Sequence, residues 1–170
     1  MLRAALLLAV TAAAALAATA SPSTSMGTPA PQRTVPCRET IADTQFPHRD
    51  GGYRTVLGAV SVPPLYLSQI EPNPDPKWPW WRKAGLVVRA NGRPVTITVP
   101  EAWRGKVAVE WGNAGTGGPF TALRIHGCQG GGGHAYAGGF VASEKACVPL
   151  TFHVGTRSAT VRFGLGKRCG

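Results

Sequence analysis

Apolar residues in this chain fall in short runs bounded by Gly and Pro, and within the runs they alternate with polar residues, a period-two signature of strands. Val95-Thr96-Ile97-Thr98-Val99 is the clearest run, with Val95, Ile97 and Val99 on one face and both threonines on the other. Leu86 to Ala90 precedes it across Asn91-Gly92-Arg93, and Asn-Gly accepts the positive φ angles of a tight turn, so a hairpin is predicted here. Val56, Gly58, Val60 and Val62 share one face of a strand ending at Pro63-Pro64. Lys106 to Trp111 points Val107, Val109 and Trp111 inward against Lys106, Ala108 and Glu110. Further strands are predicted at Ala122–Ile125, Ala135–Val141, Val148–Val154 and Ala159–Leu165, the last two joined by Gly155-Thr156-Arg157-Ser158. Together these make about eight strands, which predicts an all-β fold, an antiparallel β-sandwich or flattened barrel.

The one long uncharged, Ala/Leu-rich stretch lies at the start. Arg3 precedes an Ala/Leu-rich run from Ala4 to Ala18, and Ala18-Thr19-Ala20 offers the small residues of a signal-peptidase site, so residues 1–20 read as a cleaved signal peptide. The run is short and Ala-rich for a membrane anchor, and no later segment is apolar enough to span a bilayer. Residues 21–36, SPSTSMGTPAPQRTVP, hold Pro, Ser and Thr with almost nothing that packs, the composition of a flexible tether. One globular domain is then expected over 37–170, in a secreted protein that is extracellular or loosely envelope-associated.

All four cysteines, Cys37, Cys128, Cys147 and Cys169, follow the leader, as expected of two disulfides formed in an oxidising compartment. Three connectivities are open. Cys128 with Cys147 and Cys37 with Cys169 is favoured, the first closing a Gly-rich excursion and the second tying the domain ends together. Cys147 with Cys169 is the rival, because those residues flank the last predicted hairpin. A structural metal site is disfavoured, since no C-x-x-C pair exists.

AYAGGF (Ala135–Phe140), ACVPL (Ala146–Leu150) and VRFGLGKRC (Val161–Cys169), with WRKAGLVVRANGRPVTITVP (Trp81–Pro100) and VAVEWG (Val107–Gly112), are similar to stretches in a group of short secreted proteins of high-GC Gram-positive (actinobacterial) genomes. The resemblance implies an exported, disulfide-bonded domain and assigns no catalytic or ligand-binding residues.

The formal net charge is +10, and loss of Arg3 with the leader lowers it by one. Outside a cell such a surface meets anionic envelope polymers or glycans rather than nucleic acid, and these are the expected partners. Thirteen of the 18 basic residues are Arg, scattered along the chain at Arg49, Arg54, Arg89, Arg93, Arg104, Arg124, Arg157 and Arg162, with only Lys167-Arg168 paired. High-GC coding alone produces such a bias, so charge by itself assigns no site.

Catalytic constellations are sparse. His126, His134 and His153 supply three imidazoles, but their spacing matches no helix-borne metal motif, and neither metal nor cofactor is expected. There is no G-x-S-x-G elbow, and Gly127 to Gly133 lacks the Gly-Lys-Ser/Thr of a phosphate loop. Glu101 and Glu110 bracket Trp103 and Arg104, the best pair for a glycan hydrolase, yet Glu110 falls on the outward face of its strand.

Glu71-Pro72-Asn73-Pro74-Asp75-Pro76-Lys77-Trp78-Pro79-Trp80-Trp81 holds its backbone extended and carries three indoles. Trp81 leads into the Leu86 strand and is expected in the core. Trp78 and Trp80, flanked by Lys77 and Arg82, are the candidate ligand-binding residues, offering flat apolar faces to sugars or to the envelope. The expectation is thus a monomeric, non-catalytic secreted β domain. A glycan hydrolase is the alternative, and a protease inhibitor is a third, which needs a rigid exposed loop anchored by a disulfide, for which Gly127 to Gly133 is too flexible.

Overall fold

The computed structural model describes residues 32–112 and 118–170. The signal-peptide segment and the tether as far as residue 31 lie outside the described residues. Gln32 to Val35, assigned to the tether, instead form the first strand: β1 (Gln32–Val35) pairs in parallel with β11 (Ala122–Ile125), and Val35 is fully buried. Buried Val35, the pairing with β11 and the Cys37–Cys128 bond just beyond it hold this segment in the fold.

The described residues are all-β and form three sheets. The six-stranded sheet runs β1, β11, β9 (Val95–Thr98), β14 (Ala146–Val154), β15 (Arg157–Leu165) and β5 (Tyr66–Leu67). A five-stranded sheet runs β2 (Ala42–Thr44), β12 (Gly133–Tyr136), β8 (Leu86–Arg89), β4 (Val60–Val62) and β3 (Arg54–Val56). The four-stranded sheet runs β10 (Val107–Val109), β13 (Gly139–Ala142), β7 (Trp80–Lys83) and β6 (Glu71–Pro72). The edges are open, so the architecture is sandwich-like and not a closed barrel. One apolar cluster joins all three sheets: Val60, Leu86 and Tyr136 from one, Ile97, Phe152 and Phe163 from another, Val107 and Phe140 from the third. Phe140 links two of them directly, 5.2 Å from Phe163 and 5.3 Å from Trp111 between ring centroids.

Alternation decided β9 as expected. Val95, Ile97 and Val99 are buried, and the outward Thr96 lies in register between Arg124 and His153. The last hairpin also forms, tightened to a two-residue turn, Gly155-Thr156, between Val154 and Arg157.

Four local expectations fail, three of them for a backbone reason. Val56 to Val62 is two strands, because Leu57 (φ 53°) and Gly58 (φ 66°) turn the chain back on itself. Asn91 has the positive φ its sequence suggested (54°), but β8 and β9 lie in different sheets, so the turn moves the chain between layers and forms no hairpin. Ala135 to Val141 is split in the same way into β12 and β13 by Gly138. Ala108, placed outward, is buried in a second small cluster with Trp78 and Val141.

The favoured disulfide pairing is overturned. Cys37 bonds Cys128, and Cys147 bonds Cys169. Parallel pairing sets Val35 opposite Ile125, so β1 and β11 leave the sheet at the same end, and the cysteines just beyond them meet. At the other site Cys147 faces Gly164, and the chain after Leu165 folds back until Lys167 and Arg168 lie over Gly164, which brings Cys169 within reach. Two disulfides, with no helix among the described residues long and apolar enough to cross a membrane, are compatible with an extracellular protein.

Candidate functional site

The tryptophan segment folds as a structural hairpin. β6 pairs with β7, placing Glu71 opposite Trp81 and Pro72 opposite Trp80. The turn is closed by Asn73 N–H to the Pro79 carbonyl (2.9 Å), Trp78 N–H to the Asp75 carbonyl (3.0 Å) and Asn73 Nδ2 to the Trp78 carbonyl (2.8 Å). These bonds turn the Trp78 indole inward, leaving it 5% exposed against Ala108 and Val141, with half-buried Trp81 beside it. Trp78 therefore presents no face to a ligand, contrary to expectation. Trp80 is half-buried against the main core with the Lys145 ammonium 4.6 Å from its ring centroid. Arg82 has its Nε buried without a hydrogen-bond partner, and the crevice it shares with Trp80, Ile70 and Leu165 offers no room to a ligand. Of the four candidates only Lys77 is exposed, its amide bonded to Asp75 Oδ1 (2.9 Å). Trp78→Ala is expected to cost about 3 kcal/mol in urea denaturation, the lower end for a buried indole because its cluster is small. A ligand-binding role for this indole would instead leave the urea midpoint unchanged.

The other chemistry-bearing residues are also dispersed. Buried His134 has Nδ1 2.7 Å from Asp43 Oδ1 and Nε2 3.3 Å from the Cys128 carbonyl, so both ring nitrogens are engaged. His153 lies 3.4 Å from Thr98 Oγ1, away from that contact. Among the described residues no group of three His, Cys, Asp or Glu could hold a metal ion. Glu101 is exposed on a short turn, whereas Glu110 is half-buried and bonded to the Trp81 side chain, its pKa raised by desolvation and drawn partly back by that bond. Tyr136, buried beside the Cys37–Cys128 bridge, has its pKa pushed up to about 12 by burial and by the nearby Glu39 charge.

What the fold does gather is arginine. A cleft of about 930 Å³ is lined by Arg49, Arg89, Arg93 and Arg157, with the Leu57-Gly58 turn on one side and Asn91 with Gly130 to Gly132 on another. Beside it, Arg93 and Gly155 open onto a smaller hollow that includes Arg124 and His153. Across Thr55 lies a groove with Arg54, Arg162 and Arg168. None of the chain's eight acidic residues lines any of the three. Among the described residues, none of these arginines is in an ion pair, whereas Arg33 is paired with Glu39.

Asn91 fixes the glycine wall of the cleft. Its backbone N–H donates to the Cys128 carbonyl (2.7 Å), its Nδ2 to the Gly130 carbonyl (2.6 Å), and its Oδ1 accepts from Gly130 N–H (3.3 Å). Ala90 N–H reaches Gly132 O at 3.0 Å. The glycine loop is thereby held against the β8 end, and Cys128 at its base is tied to Cys37. Opposite, Arg157 donates to the Leu57 carbonyl (2.8 Å), fixing one guanidinium to the turn. Such a cleft offers planar, permanently charged donors suited to phosphate or carboxylate oxygens.

In the linear sequence most of these arginines lie far apart. Their common local signal is adjacency to turns: Arg49 precedes the Asp50–Gly52 turn, Arg93 follows Asn91-Gly92, and Arg157 follows Gly155-Thr156. Compared with family models, with curated proteins and with solved structures, the chain matches none of them.

Proposed function

We propose that this is an exported, non-catalytic domain that binds anionic polymers of the cell envelope through the arginine-lined cleft. The observation that carries this reading is four arginines around one concavity with no carboxylate in its lining. Like charges around one cleft repel one another, and a polyanion relieves that repulsion while gaining several charge-assisted hydrogen bonds. The adjoining Arg124 and His153 extend the positive surface along the outer face of the six-stranded sheet, as an extended polymer requires. Export rests on the Ala4 to Ala18 leader and the two disulfides, and the actinobacterial resemblance supports the same setting.

The test is co-sedimentation of the oxidised Ser21–Gly170 protein with isolated Gram-positive envelopes across a salt series. Arg49→Gln/Arg89→Gln/Arg93→Gln is expected to weaken retention at least tenfold and to flatten its salt dependence. Lys83→Gln/Arg104→Gln/Lys106→Gln removes equal charge elsewhere and should retain most of the binding. Equal losses in both triples would mean that net charge alone acts, and no retention of the parent protein at low salt would overturn the reading outright.

A further inference from the structure

Across Thr55 from the cleft, the groove of about 610 Å³ has a different character. It opens where the sandwich parts at its edges, between β3, the edge strand of the five-stranded sheet, and β5 with β15 at the edge of the six-stranded sheet. Where the sheets part, half-buried Leu65 and Val161 come to the surface over buried Val56 and Val62, and with the half-buried Tyr66 ring alongside they make the floor apolar. Three guanidinium groups, Arg54, Arg162 and Arg168, stand over this floor, all on exposed residues and none in an ion pair among the described residues. Arg168 is held over the Tyr66 ring, 4.2 Å from its centroid, by a tail that the Cys147–Cys169 bond clamps to β14.

An apolar trough with cations along it and no acid in its lining matches one ligand chemistry. We infer that this groove binds a single-chain anionic amphiphile, an acyl or alkyl chain carrying a phosphate or carboxylate head. The chain lies between the sheet edges and the head engages Arg54, Arg162 and Arg168. The volume falls within the range of small-molecule sites, and an apolar floor with a few convergent polar groups is their usual composition. A polyanion without apolar parts would leave the floor unused, so this site goes beyond envelope-polymer binding and uses different arginines.

Isothermal titration of the oxidised protein with alkyl phosphates and fatty acids, each below its micelle concentration, tests the inference. Saturable one-to-one binding is expected, strengthening roughly tenfold for each pair of methylenes buried as the chain lengthens. The phosphate and carboxylate series show which head is preferred, and a stronger response from either supports the site. Arg54→Gln/Arg162→Gln, both surface changes, should weaken binding at least tenfold with the thermal midpoint unchanged. Arg168→Gln, which leaves the disulfide intact, should weaken it several-fold. Binding of an uncharged monoacylglycerol as tight as that of the anion, affinity independent of chain length, inorganic phosphate binding as well as the alkyl phosphate, or no binding at all would each overturn the inference. So would undiminished affinity in the double arginine variant.

Discussion

Replacing Cys37 and Cys128 together by serine is expected to lower stability by about 4 to 5 kcal/mol, whereas replacing Cys147 and Cys169 is expected to cost about 3 kcal/mol. The difference follows from loop length. The first bond joins residues 91 positions apart and the second joins residues 22 apart, so the first removes more freedom from the unfolded chain. It also fastens β1, held in the sheet by a single neighbour, β11. Against a total stability of about 5 to 15 kcal/mol for an ordinary domain, the loss of Cys37–Cys128 brings the fold near its limit at physiological temperature. Urea titrations of both double variants measure the two costs, and peptide mapping without reduction should recover Cys37 with Cys128 and Cys147 with Cys169. A larger loss from the shorter loop would show that native-state contacts of the C-terminal tail outweigh chain entropy.

The same geometry explains why the pairing was illegible in the sequence. Proximity of Cys37 to Cys128 depends on parallel pairing of two four-residue strands nearly ninety positions apart, which no local pattern encodes. The closing of Cys147 on Cys169 was visible as a possibility because the β14–β15 hairpin is local. Strand positions were legible wherever apolar and polar residues alternate, as at Val95 to Val99. They were misread wherever glycine or asparagine changed the chain's direction, because a turn within a sheet and a turn between sheets use the same residues. Asn91-Gly92 and Gly138-Gly139 both carry the chain from one layer to another.

The candidate site moved for a related reason. A run of three indoles within four residues is conspicuous in sequence, but such rings are large enough to be drawn inward, and Trp78 became the centre of a small core. Arginines dispersed from Arg49 to Arg168 carried no linear signal. Folding gathers them because each sits on an exposed strand position or beside a turn, and the turns of β3–β4 and β14–β15 meet where Arg157 bonds the Leu57 carbonyl. Seven of the eight arginines that looked scattered line the three concavities, Arg104 alone lying elsewhere. Separation along the chain therefore says little about separation in space for an all-β fold, whose contacts are mostly long-range.

Gly138→Ala should be nearly as damaging as the loss of the long disulfide, at about 4 kcal/mol. Gly138 sits at φ 144°, a conformation that side-chain-bearing residues rarely adopt, and forcing one into it costs about 1 to 3 kcal/mol. A Cβ there would also be driven into the carbonyl of Glu110, and relieving such overpacking costs about another 1 to 3 kcal/mol. The neighbouring backbone has little freedom to retreat: Ala84 N–H donates to the Gly138 carbonyl (2.8 Å), Glu110 N–H to Gly139 (3.0 Å) and Gly112 N–H to Ala137 (3.0 Å). Those bonds bind the corner between β12 and β13 to the segments carrying Trp111, whose Nε1 donates to the Ala84 carbonyl at 2.7 Å. Displacing the corner therefore disturbs the contact between Trp111 and Phe140 at the heart of the core. Gly131→Ala is the control, since its Cβ would meet nothing within 4 Å and its φ is not positive. It is expected to change stability by no more than about 0.5 kcal/mol. Parallel urea midpoints for the two variants decide the point: equal stabilities would mean that the corner yields freely, and that the passage of the chain between sheets at Gly138 is not enforced by close backbone approach.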